Sequence, residues 1–299
     1  MLFSIVIPTY QRPEILEICL RSFSLQDFPK TDFEVIVSNN YPKNNIDALI
    51  NHFRNIGLNI TSIEEWRPGS HFARNSGVSV SKGKYIVFTD DDCEADISLL
   101  SAYKVAIEKF EPIIAGGRID IYWDSTPPNW VIPLERSMGK VDFGPGNFWL
   151  KKGQLANGGN LLIQRDFFLS IGGMEPDQVG KLVLGSGDIS LSLSANRFGH
   201  NVLWVGSARV RHHQRREVNA KLKDLLRRGF NNGMVMAYEL QKQNAFLGIS
   251  KIVRASAHLT LSSANEFLKG ILFFNLSSIV RSLLFLCRII GIYWFLFQK

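Results

Sequence analysis

Three consecutive aspartates, Asp90, Asp91 and Asp92, stand at the end of the apolar run Tyr85-Ile86-Val87-Phe88, and Glu94 and Asp96 follow within four residues. Carboxylates this close repel one another unless a cation or a helix N-terminus stabilises them. Two readings compete. Capping of the next helical pattern, "ISLLSAYKVAIEKF", would use an aspartate from the stretch Asp92 to Asp96, and it needs only one. A divalent metal ion explains three carboxylates in contact better. An ion held at a strand end would in turn bind a diphosphate, since such ions combine few protein carboxylates with phosphate oxygens and water.

Residues 1–120 alternate two hydropathy periods. Strand patterns are "FSIVIPTY", "FEVIVSN", "LNITSIEEW" and "KYIVFTD"; helical patterns are "PEILEICLRSFSLQ", with Pro13 in its first turn, "IDALINHFRNIG" and "HFARNSGVSVSKG". The alternation predicts an α/β fold, a mostly parallel sheet with helices on both faces. Ligands in such sheets bind beyond the carboxyl ends of the strands. Those ends read "PTYQR", "SNN" and "DDD", so one crevice would collect all three. No G-x-G-x-x-G and no G-x-x-x-x-G-K-[ST] occurs, so the usual dinucleotide and P-loop devices are absent.

The chain has 299 residues, 45% hydrophobic and 20% charged, enough for one α/β core with additions. Cys19, Cys93 and Cys287 are odd in number and far apart, which points to a reducing compartment without a disulfide framework. "MLFSIVIPTY" lacks a charged leader region and a cleavage site, so no signal peptide is expected. The net charge of +7 is uneven: residues 201–299 carry 15 Lys+Arg against 4 Asp+Glu, a balance of +11, which leaves −4 for residues 1–200. The cluster "RVRHHQRREVNAKLKDLLRRGF" admits a nucleic-acid reading, but residues 271–298 argue against it. They are strongly apolar, with Arg281 and Arg288 seven apart on one helical face and Tyr293 and Trp294 nearby. A basic amphipathic helix lying in an anionic membrane interface fits that pattern, and a helical pair packed on the main domain is the competing reading.

Six motifs in order carry a family resemblance: "SIVIPTYQRPEILEICLRSFSLQ", "FEVIVSNN", "ARNSGVSVSKGKYIVFTDDDC", "GGNLLIQRDFFLSIGGMEP", "GSGDISLSLSANRFGH" and "ARVRHH". Over residues 3–213 the chain resembles glycosyltransferase family 2, with the GT-A fold. The resemblance implies a GT-A domain at 1–213, divided into a nucleotide-binding half at 1–95 and an acceptor half at 96–213. The basic and apolar region 214–299 follows. It implies inverting transfer of a sugar from a nucleotide diphosphate sugar to an acceptor hydroxyl with Mg²⁺ or Mn²⁺. The expected setting is cell-surface or lipid-linked glycan synthesis at the cytoplasmic face of the membrane, with no nucleic-acid partner.

Residue by residue, the resemblance makes Asp92 a metal ligand, Asp90 a ribose or metal-water contact that also counts as a ligand, and Asp91 a further donor-binding residue of the same site. Pro8, Thr9 and Tyr10 match the nucleoside loop, with Tyr10 placed to stack on the base. Arg12 and Arg74 match diphosphate contacts, Arg12 having a solvated turn as its alternative, and Asn75 caps or orients that loop. Gly158 and Asn160 of "GGN" would bring backbone beside the donor sugar. Asp188 matches the catalytic base, with the N-cap of "ISLSLSANRFG" as its structural alternative. His212 matches a histidine near the metal or phosphates, and His213 competes with it. Trp123, Trp130 and Trp149 would form an acceptor platform or sit in the core.

Two departures from the family pattern stand out. The base is usually preceded by Glu, and here the pair is Gly187-Asp188. An Asp that reads the nucleobase is replaced by Asn39, which can accept and donate, so uridine is the first expectation and guanosine and thymidine diphosphate sugars stay open. A nucleotidyltransferase would use the acidic cluster but leaves Asp188 and "GGN" unexplained. A non-catalytic sugar-binding module would not need Asp188.

Overall fold

The computed structural model describes residues 1–151, 153–175, 178–179, 182–183, 187–242 and 245–297. Two compact units emerge: Met1–Asp120 with Val141–His213, and Ile121–Lys140 with Gln214–Lys299. Residues 121–140 thus belong with the C-terminal helices rather than with the acceptor half in which the sequence reading places them.

In the first unit, β1 (Phe3–Thr9), β2 (Phe33–Asn39), β3 (Ile60–Glu64) and β4 (Tyr85–Thr89) alternate with α1 (Pro13–Ser24), α2 (Asp47–Asn55) and α3 (Ser70–Ser79). Then follow β5 (Cys93–Ala95), α4 (Leu99–Phe110), β6 (Ile114–Trp123), β7 (Asn147–Trp149), β8 (Asn160–Gln164) and α5 (Arg165–Ser170). A short β9 (Gln178–Val179) and β10 (Leu182–Val183) pair with each other, and α6 (Gly187–Arg197) and β11 (Val202–Gln214) complete the unit's elements.

The main sheet runs β3-β2-β1-β4-β8-β6-β11-β5, with β7 on β11. Strands β3 to β4 are parallel, as βαβ crossovers require. β8 then enters antiparallel to β4, setting Thr89 opposite Asn160. Every residue of β1, β2 and β4 is buried, the mark of strands covered on both faces. One face packs Ile5, Ile7, Val35 and Val87 against Leu16 and Phe23 of α1, Phe53 of α2 and Leu100 and Tyr103 of α4. The other packs Val6, Ile36, Ile86 and Phe88 against Val78 of α3, Phe168 of α5 and Leu191 of α6. The alternation of side chains along β1 assigns Val6 to one layer and its neighbours to the other.

The second unit holds a short 3₁₀ turn (Ile132–Met138), α7 (Arg216–Asn219), α8 (Leu222–Lys242), α9 (Ala245–Leu272) and α10 (Leu276–Phe297). Val131, Leu134 and Met138 form its apolar cluster with Leu225, Val280 and Leu284, joined by the partly buried Trp123 and Trp130. These two tryptophans are therefore core residues of the helical unit; Trp123 also donates to Glu135 at 3.1 Å.

Candidate active site

The three aspartates leave β4 in different directions. Asp91 is fully buried, where it accepts from Thr9 Oγ1 at 2.8 Å and from the Arg12 guanidinium. Burial pushes its carboxyl up to about 7, against the pull of Arg12. It is the anchor of the Arg12 loop rather than a surface for ligand. Asp90 and Asp92 remain partly accessible. Asp90 accepts from Arg74 Nη2, and Asp92 accepts from Arg12 Nη1 at 2.9 Å and lies 3.3 Å from His212 Nε2. Burial alone would raise Asp92, but His212 and Arg12 hold its carboxyl at about 2.

Local chain geometry puts Arg12 there. Gln11 has φ 56°, the left-handed region that non-glycine residues seldom adopt, and it turns the chain sharply between Tyr10 and α1. The guanidinium returns over the end of β4 as a result. Arg74 comes from the first turns of α3 and is almost wholly buried. No aspartate of the acidic run caps α4, whose N-cap is Ser98 without a side-chain cap hydrogen bond; Asp96 makes an Asx turn just before it, its Oδ1 accepting from Ser98 N at 3.0 Å and Ser98 Oγ at 2.8 Å.

Potential ligand atoms of Asp90, Asp92 and Cys93 lie within 4.8 Å of one another. Burial, with Asp90 and Asp92 close by, pushes the Cys93 thiol well up, so it stays protonated and is no ligand for a hard cation. The oxygens of Asp90 and Asp92 suit Mg²⁺ or Mn²⁺, with His212 beside them. His213 faces another acid: its Nε2 is 2.9 Å from Glu94 Oε2, while its backbone N–H donates to Asp92 O at 2.8 Å.

The "GGN" segment closes the site from the side of β8. Thr89 Oγ1 donates to Gly159 O at 2.9 Å. A Cβ at Gly159 would sit 3.4 Å from Asp90 Oδ2, so glycine there leaves room beside the carboxylate. Gly158 is buried in the same turn. Asn160 is buried and works inward, donating to Arg118 O and Ala208 O at 3.0 Å and accepting from Tyr103 OH at 2.6 Å. Its side chain is a rivet of the sheet.

At the ends of β1 and β2 the rings of Tyr10 and Tyr41 lie 5.2 Å apart, and Tyr10 is half exposed. Pro8 stands in register with Ser38 just before this pair. Asn39 Nδ2 donates to Asn44 O at 2.9 Å and its Oδ1 accepts from Tyr41 N at 3.1 Å, so the side chain shapes the Tyr41 turn. Beyond it opens a cavity of about 260 Å³ lined by Asn39, Pro42, Ile46, Ser62, Ile63 and Glu64.

Sequence reading missed the next two anchors. Asn40 Nδ2 donates to Glu65 O and Arg67 O, while its Oδ1 accepts from Gly69 N. Glu65 accepts from Arg67 Nε at 2.9 Å, from Arg67 Nη2 at 2.7 Å and from Ser76 Oγ. The doubled asparagine of "SNN" was the signal available for the first. Asn75 holds a different loop, donating to Met174 O at 2.7 Å and accepting from Met174 N at 2.9 Å. Asp188 lies in the first turn of α6 rather than before it, and its side chain is outside the described residues. Trp149 is exposed on β7, edge-on to Phe110.

The model of the family described as Glycosyl transferase family 2 matches residues 4–171. The chain is similar to Glycosyltransferase AglE of Haloferax volcanii, at 25% identity over 203 residues, 68% of this chain and 64% of AglE. It is similar to the poly(ribitol-phosphate) β-N-acetylglucosaminyltransferase TarS of Staphylococcus aureus, at 31% identity over 93 residues, 31% of this chain and 16% of TarS. It spans less than two thirds of either relative. The mannosyltransferase PcManGT of Pyrobaculum calidifontis, solved with GDP-Man and Mn²⁺, shares the fold at TM-score 0.66 and 15% identity, over 99% of this chain and 87% of that one.

Proposed function

Because the chain belongs to glycosyltransferase family 2, we propose that it transfers a sugar, with inversion, from a nucleotide diphosphate sugar to an acceptor hydroxyl. One observation carries this reading: Asp90 and Asp92 stand at the mouth of β4 with a guanidinium on each, a paired set of donors for metal and diphosphate. Mg²⁺ or Mn²⁺ bound there would neutralise the charge that grows on the departing diphosphate. Arg12 and Arg74 are placed to donate to its oxygens, the role for which a guanidinium fork is suited. Tyr10 and Tyr41 flank the nucleoside, and the cavity beyond Asn39 takes the base. Gly158 and Gly159 leave space for the donor sugar. Asp188 takes the acceptor proton as the new C–O bond forms and the bond to diphosphate breaks from the opposite face.

The donor is a UDP- or GDP-sugar, with UDP first, and the acceptor a hydroxyl on a lipid-linked or polyol-phosphate glycan. The similarity to TarS supports the latter class. A panel of nucleotide sugars, incubated with Mn²⁺ or with EDTA, tests the reading. Metal-dependent release of a nucleoside diphosphate from one donor is expected. Release of pyrophosphate from a sugar phosphate and a nucleoside triphosphate would indicate a nucleotidyltransferase, and donor binding without turnover a sugar-binding module.

The helical unit adds a membrane to the proposal, at its anionic cytoplasmic face. α10 is the one helix, among the described residues, long and apolar enough to cross a bilayer, but a third of its most apolar window is buried in the protein. Its exposed side chains Leu283, Leu286, Ile290, Tyr293 and Phe297 recur at spacings of three and four, a stripe suited to lying in the interface. Arg281 faces inward, donating to Glu266 at 3.0 Å. Headgroup attraction therefore falls to exposed upstream residues such as Arg215, Lys221 and Lys223.

A further inference from the structure

The departure at Gly187 has a physical counterpart on α3. His71, the second residue of that helix, is 2% exposed, and its Nε2 lies 3.2 Å from the backbone nitrogen of Gly187. The Gly187 N–H donates, so the ring accepts through Nε2 and carries its proton on Nδ1. Gly187 opens α6, whose first amides have no partner within the helix, and His71 satisfies one of them from outside. Burial, with the charge of Arg74 adding to it, pulls the imidazole down to about 3, so the ring is neutral and able to accept throughout the neutral range.

Space is allotted as closely as hydrogen bonding. A Cβ built on Gly187 would lie 2.7 Å from both Cε1 and Nε2 of His71, closer than real side chains approach. A side chain at 187 would force the buried His71 ring out of the place it holds. The same helix turn carries Arg74, which holds Asp90, and Asn75, which clamps Met174. One rigid segment, "HFARN", therefore reaches the metal-side carboxylate and the start of the helix bearing Asp188.

We propose that His71 is a positioning residue for Asp188, standing in for the carboxylate missing at position 187: its neutral ring fixes the Gly187 amide and fills the room a side chain there would need. The proposal rests on the reading of Asp188 as the base. It makes Gly187 and His71 a compensated pair, in which losing the acceptor at 71 or gaining a side chain at 187 displaces the first turn of α6.

The test compares His71→Leu, His71→Gln, Gly187→Glu and the double variant His71→Ala/Gly187→Glu. Each is assayed for Mn²⁺-dependent hydrolysis of UDP-N-acetylglucosamine and GDP-mannose, and for UDP and GDP binding. His71→Leu and Gly187→Glu should each lower turnover roughly ten- to a hundredfold, the scale of a small misplacement, with nucleotide binding unchanged. His71→Gln, whose side-chain oxygen can accept from the same amide, should retain most turnover, and the double variant should exceed Gly187→Glu alone. Amide hydrogen exchange gives a readout independent of any donor: the Gly187 N–H should be protected in wild type and His71→Gln and exposed in His71→Leu.

Full turnover in Gly187→Glu, a double variant no better than the worse single one, or unchanged exchange at Gly187 in His71→Leu would each overturn the proposal. So would loss of nucleotide binding in parallel with turnover, the sign of a merely structural histidine. Asp188→Asn, run alongside, separates the two readings. Wild-type turnover in that variant removes the base, whereas the exchange result stands or falls with His71.

Discussion

Arg74 and Asp90 form an ion pair in which the arginine side chain is 7% exposed and the aspartate 34%. With Arg12 on Asp92, both carboxylates expected to hold a metal already carry a protein cation. Metal and diphosphate should therefore bind as a couple, the ion taking the carboxylates while the released guanidiniums take phosphate oxygens. Titration calorimetry should find Mn²⁺ binding weak alone and at least tenfold tighter with UDP or GDP, within the usual range of coupling free energies. Arg12→Ala should tighten Mn²⁺ binding in the absence of nucleotide, because it removes a competing positive charge, and weaken nucleotide binding. Weaker Mn²⁺ binding in that variant would count against the arrangement.

Asp92→Asn removes a charged oxygen ligand, and Asp91→Asn removes the anchor of Arg12 without touching the ion. The first should abolish metal-enhanced nucleotide binding. The second should keep it but weaken the diphosphate contact and lower thermal stability, since Asp91 is buried beside Thr9 and Arg12. Identical binding defects in the two variants would show that the buried carboxylate is a ligand after all.

Asp188→Asn should lower turnover by about 10² or more, the scale of general base catalysis, while leaving nucleotide affinity and melting temperature near wild type. The measurement is initial rate with the donor selected by the hydrolysis panel. An unchanged rate would confine Asp188 to the first turn of α6 as a favourable charge near a helix N-terminus.

Glu65 gives the fold an acid-sensitive joint. Hydrogen bonds from Arg67 hold its carboxyl at about 2, below its ordinary 4.5, so between those values the unfolded chain binds more protons than the folded one. The contribution to stability is complete above about 4.5 and is lost as pH falls towards 2. Denaturant unfolding of wild type and Glu65→Gln should differ most at pH 7, narrow below about 4.5 and converge only towards pH 2. A gap that stays constant with pH would assign the effect to packing.

At the turn between α9 and α10, Phe273 is 75% exposed and Phe274 96% exposed, beside Leu272 and Leu276. Replacing both phenylalanines by serine should leave circular dichroism unchanged, because neither packs in the core, and reduce co-sedimentation with anionic vesicles several-fold. Wild-type binding should weaken with salt and persist in part at high salt, the part due to apolar insertion. Equal sedimentation of both proteins would separate this turn from the membrane.

The parallel half of the sheet was legible in the sequence because β1, β2 and β4 are short, mostly apolar and β-branched runs ended by polar signals. Legible too was a cation site at "DDD". The division of labour among the three was not: which carboxylate turns inward depends on Thr9 and Arg12, some 80 residues away. "GGN" suggested three residues near the donor, yet Asn160 is consumed by Tyr103, Arg118 and Ala208, partners that adjacency in sequence cannot reveal. The pair His71 and Gly187 was invisible for the same reason. Position 187 looked like a loss because the residue that balances it lies 116 positions earlier.

The antiparallel entry of β8 beside β4 has a consequence for synthesis on the ribosome. Tyr85–Thr89 is buried throughout in the finished sheet, and its free edge is covered only when Asn160–Gln164 pair with it. Between the two lies an interval on the order of several seconds at ordinary elongation rates. During it the nascent chain presents an apolar strand with unpaired amides and carbonyls, a template for pairing with other chains.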